Sequence, residues 1–397
     1  MSDALKTHTL DDSPSPASIL IPDIAGYIRD IFTLKLNPYH EEAEATSTAW
    51  FGSYGLHSGP EREKFLSARY CLLASYCYPE ADLERLRPVM DFIIWLVAFD
   101  DMVDEGEFCD SIETLKYAFG VTLNFLRNPD GPHPNLKYLI ALKSFYDRMR
   151  ANGSPTALHR FVKGAERYME AAVKDTIDRA AGRDPTIDEY IQLRAESSGV
   201  EWAYAALEYS HGIELPDEVH SDPVVSELAL AGNQILTWMN DIYSFSLEQA
   251  KGYTHNILFV VMSNKKVELQ AAVDFVEEMI KKRIKEYLDT KASLPSFGPE
   301  LDNQAHGYGF EEERKIYSLL NGYTAGHVID FFFWNTFLFY EKIGATCEQG
   351  KPLERHRRNR GQLRETPSHN TQHVTEEKEA GGQRERKVKQ RESSERE

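Results

Sequence analysis

The sequence predicts an all-α fold from three features: apolar residues recur at helical spacing, strand signals are scarce, and the breaks carry helix-stopping combinations of Pro, Gly, Asn and Asp. In chain order, that periodicity places helices at Glu61 to Tyr78, Leu83 to Val103, Thr114 to Arg127, Asn135 to Arg150 and His159 to Arg179. Further helices are expected at Ile187 to Glu208, Val224 to Lys251, Lys266 to Lys291 and Phe310 to Lys342. The breaks fall at Asn128-Pro-Asp-Gly-Pro, Gly153-Ser-Pro, Gly182-Arg-Asp-Pro185 and Leu215-Pro-Asp. Asp188, and Asp222 with Pro223 behind it, are suitable helix starts, since a short oxygen acceptor caps free backbone N–H groups and proline costs no bond at the first turn.

The 397 residues are not compositionally even. From Lys351 to Glu397 there are 13 Lys or Arg, nine Glu, no aromatic residue and five apolar ones, too few to bury a core. Residues 1–18 are polar and carry two prolines. The expected organisation is therefore a disordered N-terminus at 1–18, one helical domain at 19–345, and a disordered charged tail at 346–397.

Overall charge narrows the function. With 63 acidic against 45 Lys and Arg residues the chain carries −18, and its basic stretch Arg355 to Arg360 lies in the tail, so no nucleic-acid partner is expected. A polyanionic ligand would need bridging cations. Cys71, Cys77, Cys109 and Cys347 have no C-x-x-C spacing, which argues against zinc and against a disulfide framework. The longest uncharged apolar run, Phe92 to Phe99, spans eight residues, and the N-terminus lacks the basic start and apolar core of an export signal. A cytoplasmic protein with no membrane partner is expected.

Two acidic segments carry the chemistry. The apolar stretch from Asp91 ends in Asp100-Asp101-Met-Val-Asp104-Glu105. Asp100 and Asp104 are i,i+4 neighbours, so carboxylates crowd one face at the C-terminal end of a helix, where negative charge also opposes the macrodipole. Something cationic should sit between them. In the second segment Asn240, Ser244 and Glu248 follow at i, i+4 and i+8, forming one stripe that drifts about 40° per step. Amide, hydroxyl and carboxylate are hard oxygen donors suited to Mg²⁺. A satisfied buried polar network is the bland alternative for the stripe. Two such half-sites across an apolar bundle describe a pocket for a polyanionic head on a hydrocarbon body, the shape of a prenyl diphosphate.

These residues resemble those of the class I terpene cyclases, specifically the single-domain sesquiterpene synthases common in fungi. The aspartate-rich motif is Asp100-Asp101-Met102-Val103-Asp104, and the second metal motif, N-D-x-x-S-x-x-x-E, is complete as Asn240, Asp241, Ser244 and Glu248, 140 residues on. Ile21-Pro-Asp, Asn37-Pro38, Trp50, Ala74 to Pro79 and Tyr190 through Gly199 extend the resemblance to residues 20–330.

The resemblance implies the class I terpenoid synthase helical bundle with a central apolar cavity, and Mg²⁺-dependent ionisation and cyclisation of farnesyl diphosphate by a monomer or homodimer. Three Mg²⁺ ions are implied, with Mn²⁺ as a substitute. Asp100 would bridge two, with Asp101 and Asp104 as secondary ligands, and Asn240, Ser244 and Glu248 would hold the third. Arg194 matches the diphosphate sensor, although a surface salt bridge with Glu189, Glu196 or Glu201 is the reading from its neighbours alone. Ser198 and Gly199 match a helix break beside the nascent cation. Lys251 would reach the diphosphate, and Leu96, Asn233 and Trp334 would contact substrate, with Trp95, Phe99 and Trp238 as candidate π faces. His133, His159, His211, His220 and His255 are expected to be surface or capping residues.

One departure stands out. The family's C-terminal Arg-Tyr pair has no counterpart after Arg167-Tyr168, and Tyr340 is followed by Glu341-Lys342. An altered reading frame or retained intron in the tail would explain that loss. The functional alternatives are a catalytically impaired scaffold of the same fold and a chain-elongating prenyltransferase; the latter should carry a second aspartate-rich motif where Asn240 to Glu248 stand.

Overall fold

The computed structural model describes residues 19–28, 35–104, 108, 111–251 and 253–298. Among them every regular element is a helix: α1 (Ile24–Ile28), α2 (His40–Tyr54), α3 (Gly59–Ser67), α4 (Tyr70–Cys77), α5 (Leu83–Asp104), α6 (Ile112–Arg127) and α7 (Lys137–Asn152). The series continues with α8 (Pro155–Ala180), α9 (Ile187–Ser197), α10 (Val200–His211), α11 (Asp217–His220), α12 (Pro223–Lys251), α13 (Ile257–Lys265) and α14 (Leu269–Ala292). The helix expected at Phe310 to Lys342, Trp334 within it, and both terminal segments lie outside the described residues.

Local chemistry starts these helices. Ser154 accepts from Ala157 N with Pro155 at the first turn, and Asp222 Oδ1 accepts from the backbone of Val224 and Val225. For α9 the cap is Thr186 rather than Asp188: Thr186 and Glu189 form a reciprocal capping box, and Asp188 is left to favour the positive end of the helix from its first turn.

Two expected helices are each broken in two. Glu61 to Tyr78 divides at Ala68–Arg69, where Arg69 takes φ 58° and its N–H turns back to Leu66 O. Ile187 to Glu208 divides at Ser198–Gly199, with Gly199 at φ 74°, a left-handed conformation that glycine adopts without penalty. Helices α1, α2, α11 and α13 were not foreseen. In α2 the residues that face inward are small or polar, Ala43 and Ser47 before Phe51, so no apolar stripe marks the i, i+4, i+8 face. In α13 the run is apolar on every side and carries no period.

The centre of the bundle is α5, which packs against α2, α4, α7 and α10. Phe92, Trp95 and Phe99 are fully buried at one-turn spacing; Trp95 stacks on Phe99 with centroids 4.8 Å apart and meets Trp202 edge-on at 5.8 Å. Trp95 Nε1 donates to Tyr138 O at 2.8 Å, which satisfies the one polar atom of that side chain. Trp95 and Phe99 are thus packed core rather than free aromatic faces. Asp91 is buried under Arg148, 2.6 Å away, and Arg87, 3.2 Å away; burial alone raises its pKa, and the two guanidiniums oppose that rise. α12 packs on α14 and α9, and the segment before α1 is strapped to α14 by paired bonds between the Leu20 backbone and the Gln270 side chain.

Candidate active site

Helix α12 carries the second motif, and Asn240, Asp241 and Glu248 each have a hydrogen-bond partner. Asp241 is completely buried. Its Oδ1 accepts from Arg194 Nε at 3.1 Å and Nη2 at 2.9 Å, while its Oδ2 accepts from Tyr190 Oη at 2.6 Å and Ile257 N at 3.0 Å. Tyr190 and Arg194 are one turn apart on α9, so they reach the same acid together. Arg194 Nη2 also donates to Asn240 Oδ1 at 3.0 Å. One guanidinium therefore spans the first two residues of the motif, and the fork that holds Asp241 fixes its direction.

At the far end of the stripe, Asn256 caps α13 through Leu258 N and turns its amide to Asp241 O at 2.6 Å and Glu248 Oε2 at 3.0 Å. The loop that brings Asn256 there is held from α8, where Asp175 pairs with His255 at 2.7 Å and with Arg179 at 2.9 Å. His255 is therefore a largely buried partner of Asp175 and not the surface residue expected. A buried carboxylate on one side fixes its ring.

The electrostatics follow from this packing. Burial and the Asp241 charge raise the Glu248 pKa, against the lowering effect of Ser244, Asn256 and Arg194. Burial would lower the Arg194 pKa, but Asp241, with Tyr190 and Glu248, reverses that and holds it well above the usual guanidinium value. Ser244 Oγ lies close enough to Glu248 to favour its ionised form, yet its buried oxygen makes no hydrogen bond of good geometry. A buried hydroxyl left in that state beside an amide oxygen and a carboxylate fits a hard divalent cation. Among the described residues no group of three His, Cys, Asp or Glu side chains could hold a metal, so the donor set here depends on Asn240 and Ser244 beside Glu248.

Opposite stands the end of α5. Asp100 keeps solvent-accessible surface there. Its Oδ1 accepts from Tyr168 Oη at 2.6 Å. Burial raises its pKa, opposed by that hydrogen bond and by the charge of Arg194, which is thus near enough to act on both motifs. Asp101 points elsewhere: its side chain is 49% exposed and lies 3.8 Å from His57 Nε2. The side chains of Asp104 and Lys251, each the last residue of its helix, lie outside the described residues.

Arg194 does not pair with the acids nearest in sequence. Glu189 closes the capping box and Glu201 pairs with Arg167 at 3.3 Å. Asn233, expected to contact substrate, is buried and donates to Ala195 O at 2.8 Å, pinning the last turn of α9 below the break. Leu96 stands at that break: a Cβ at Gly199 would lie 3.6 Å from Leu96 and 3.8 Å from the Tyr168 ring. The break at Ser198–Gly199 therefore lies beside the helical turn that ends in Asp100. Tyr168, Asp175 and Asn256 had no assigned role in the sequence; only Tyr190, one turn from Arg194, left a readable signal.

These features are those expected of a metal-binding terpene cyclase. The family model described as "Terpene synthase family 2, C-terminal metal binding" matches residues 91–286, which include both motifs. Sesquiterpene synthase Agr1 of Cyclocybe aegerita is 34% identical over 73% of this chain and 82% of its own, and alpha-muurolene synthase of Coprinopsis cinerea is 31% identical over 76% and 72%. The chain belongs to the terpene synthase family and is an enzyme of that class. A crystal structure of α-eudesmol synthase shares the fold, with a TM-score of 0.64 over 77% of this chain and 97% of its own at 20% identity. No helix among the described residues is long and apolar enough to cross a membrane.

Proposed function

We propose that the protein is a Mg²⁺-dependent sesquiterpene synthase that ionises and cyclises farnesyl diphosphate with release of diphosphate. The observation that carries this reading is the Arg194 fork, held by Asp241 beside the Asn240–Ser244–Glu248 stripe and near enough for its charge to act on Asp100. The C15 substrate is supported by the names of the relatives, several of which are sesquiterpene synthases.

Asn240, Ser244 and Glu248 would hold one Mg²⁺ and Asp100, with Asp101 and Asp104, two more; Mn²⁺ has the same preference for oxygen. Bound cations supply the positive charge that makes diphosphate a leaving group. Arg194 binds the diphosphate oxygens through its remaining N–H groups, orienting the C1–O bond toward the apolar interior. That bond breaks with its electron pair leaving on diphosphate, and an allylic cation remains. The walls near Leu96 and the Gly199 break exclude water while the chain folds and closes. Loss of a proton ends the sequence, directly as a hydrocarbon or after capture of one water as an alcohol.

The test is the release of inorganic diphosphate from farnesyl diphosphate. It should require Mg²⁺, and Asn240→Ala, Glu248→Ala or Asp100→Ala should each lower it about a hundredfold or more with an unchanged circular dichroism spectrum, at or beyond the upper range for outer partners of a metal ligand. Full activity in any of the three would remove that residue from the set.

A further inference from the structure

We infer that Tyr168 is a positioning residue for Asp100, and that its hydroxyl sets how tightly the α5 half-site takes a divalent cation. The inference rests on the reading of Asp100 as a metal ligand. Tyr168 comes from α8, remote in sequence from both motifs, and is 2% exposed. A buried phenol must satisfy its hydroxyl, and most do so on a backbone carbonyl. This one donates to the Oδ1 of Asp100 at 2.6 Å, the length of a charge-assisted O–H···O⁻ bond.

Three consequences follow from that geometry. The bond commits Oδ1 and fixes the plane of the carboxylate, while Oδ2 accepts no hydrogen bond from a described residue and keeps its lone pairs for a cation. The ring itself is immobilised among aromatics, with Trp202 at 5.9 Å and Phe119 at 6.2 Å between centroids, so the hydroxyl arrives from a rigid support. The same ring lies beside Gly199, where an added Cβ would stand 3.8 Å from it. Tyr168 thus links the aspartate at the end of α5 to the neighbourhood of the break between α9 and α10.

Tyr168→Phe removes the hydroxyl and keeps every ring contact, so it separates aim from packing. The direct readout is Mn²⁺ binding followed by electron paramagnetic resonance in the presence of inorganic diphosphate, on the full chain. Outer-sphere partners of metal ligands are worth about 10- to 100-fold in affinity. Tyr168→Phe should weaken Mn²⁺ binding by about tenfold, with an unchanged circular dichroism spectrum, and should raise the Mg²⁺ concentration that half-saturates turnover by the same factor. Asp100→Asn should weaken it further. Binding by Tyr168→Phe equal to or tighter than that of the unaltered protein would overturn the inference while leaving Asp100 as a ligand. Binding unaffected by Asp100→Asn would overturn the assignment of Asp100, and the inference with it.

Discussion

The two motifs use the same hard-oxygen chemistry but are held very differently. On α12, Asp241 accepts four hydrogen bonds from two elements, α9 and α13, and Asn256 ties the Asp241 carbonyl to Glu248. At the end of α5, Asp100 is steadied by Tyr168, and Asp101 stands half-exposed near His57. One half-site is braced at several points; the other rests on a single hydrogen bond among the described residues. A half-site braced in advance suits the proposed capture of a diphosphate.

That contrast can be broken at its strongest point first. Asp241→Ala leaves the Arg194 guanidinium buried with its counter-ion gone, and removing one partner of such a pair typically costs about 3–5 kcal/mol. Denaturant unfolding should register that loss, the largest of the series, whereas Asp101→Ala should stay within about 0.5 kcal/mol, as exposed substitutions do. Equal effects would erase the distinction between the two halves.

Arg194→Lys keeps the charge but cannot reach Asn240 and Asp241 together, since an ammonium on a flexible stem lacks the planar fork. Turnover should fall about ten- to a hundredfold, the range for lost outer-sphere support, with less loss of stability than Asp241→Ala. Gly199→Ala sharpens the account of the break. The added methyl would meet Leu96 and Tyr168 at ordinary contact distances, so its cost is the left-handed φ alone, about 1–2 kcal/mol in unfolding free energy.

The smallest expected effect concerns the loop that holds Asn256. Burial would raise the Asp175 pKa, but His255 and Arg179 more than offset it and hold the carboxyl below its ordinary value. A depressed acid contributes stability above its unfolded pKa, about 3.9, and loses it as pH falls through the lower folded value. The stability gap between the unaltered protein and Asp175→Asn, about 1 kcal/mol at neutral pH, should therefore close on acidification below about pH 4. Thermal unfolding across pH 3 to 7 measures it.

Much of this was legible in the sequence, for identifiable reasons. Long helices such as α5, α8, α12 and α14 announce themselves by their apolar pattern, with caps added at α8 and α12, and the α12 stripe is fixed by helix geometry once Asn240, Ser244 and Glu248 are spaced by fours. The break at Ser198–Gly199 was readable through the resemblance, whereas the one at Arg69 was not, because a left-handed arginine carries no compositional mark. The partners of the site were the least visible part. Arg194 chose Asp241 over three acids nearer in sequence because α9 packs on α12, and Tyr168 and Asp175 reach the site only because α8 runs alongside α9. Such pairings are decided by tertiary packing, and local spacing does not encode them.

The measurement that tests the central claim most directly is incubation of the full chain with farnesyl diphosphate, with and without Mg²⁺, followed by gas chromatography and mass spectrometry of the organic extract. A cyclic C15 hydrocarbon or alcohol formed only with Mg²⁺ is the predicted result. Folded protein that yields no C15 product at any Mg²⁺ concentration would contradict it.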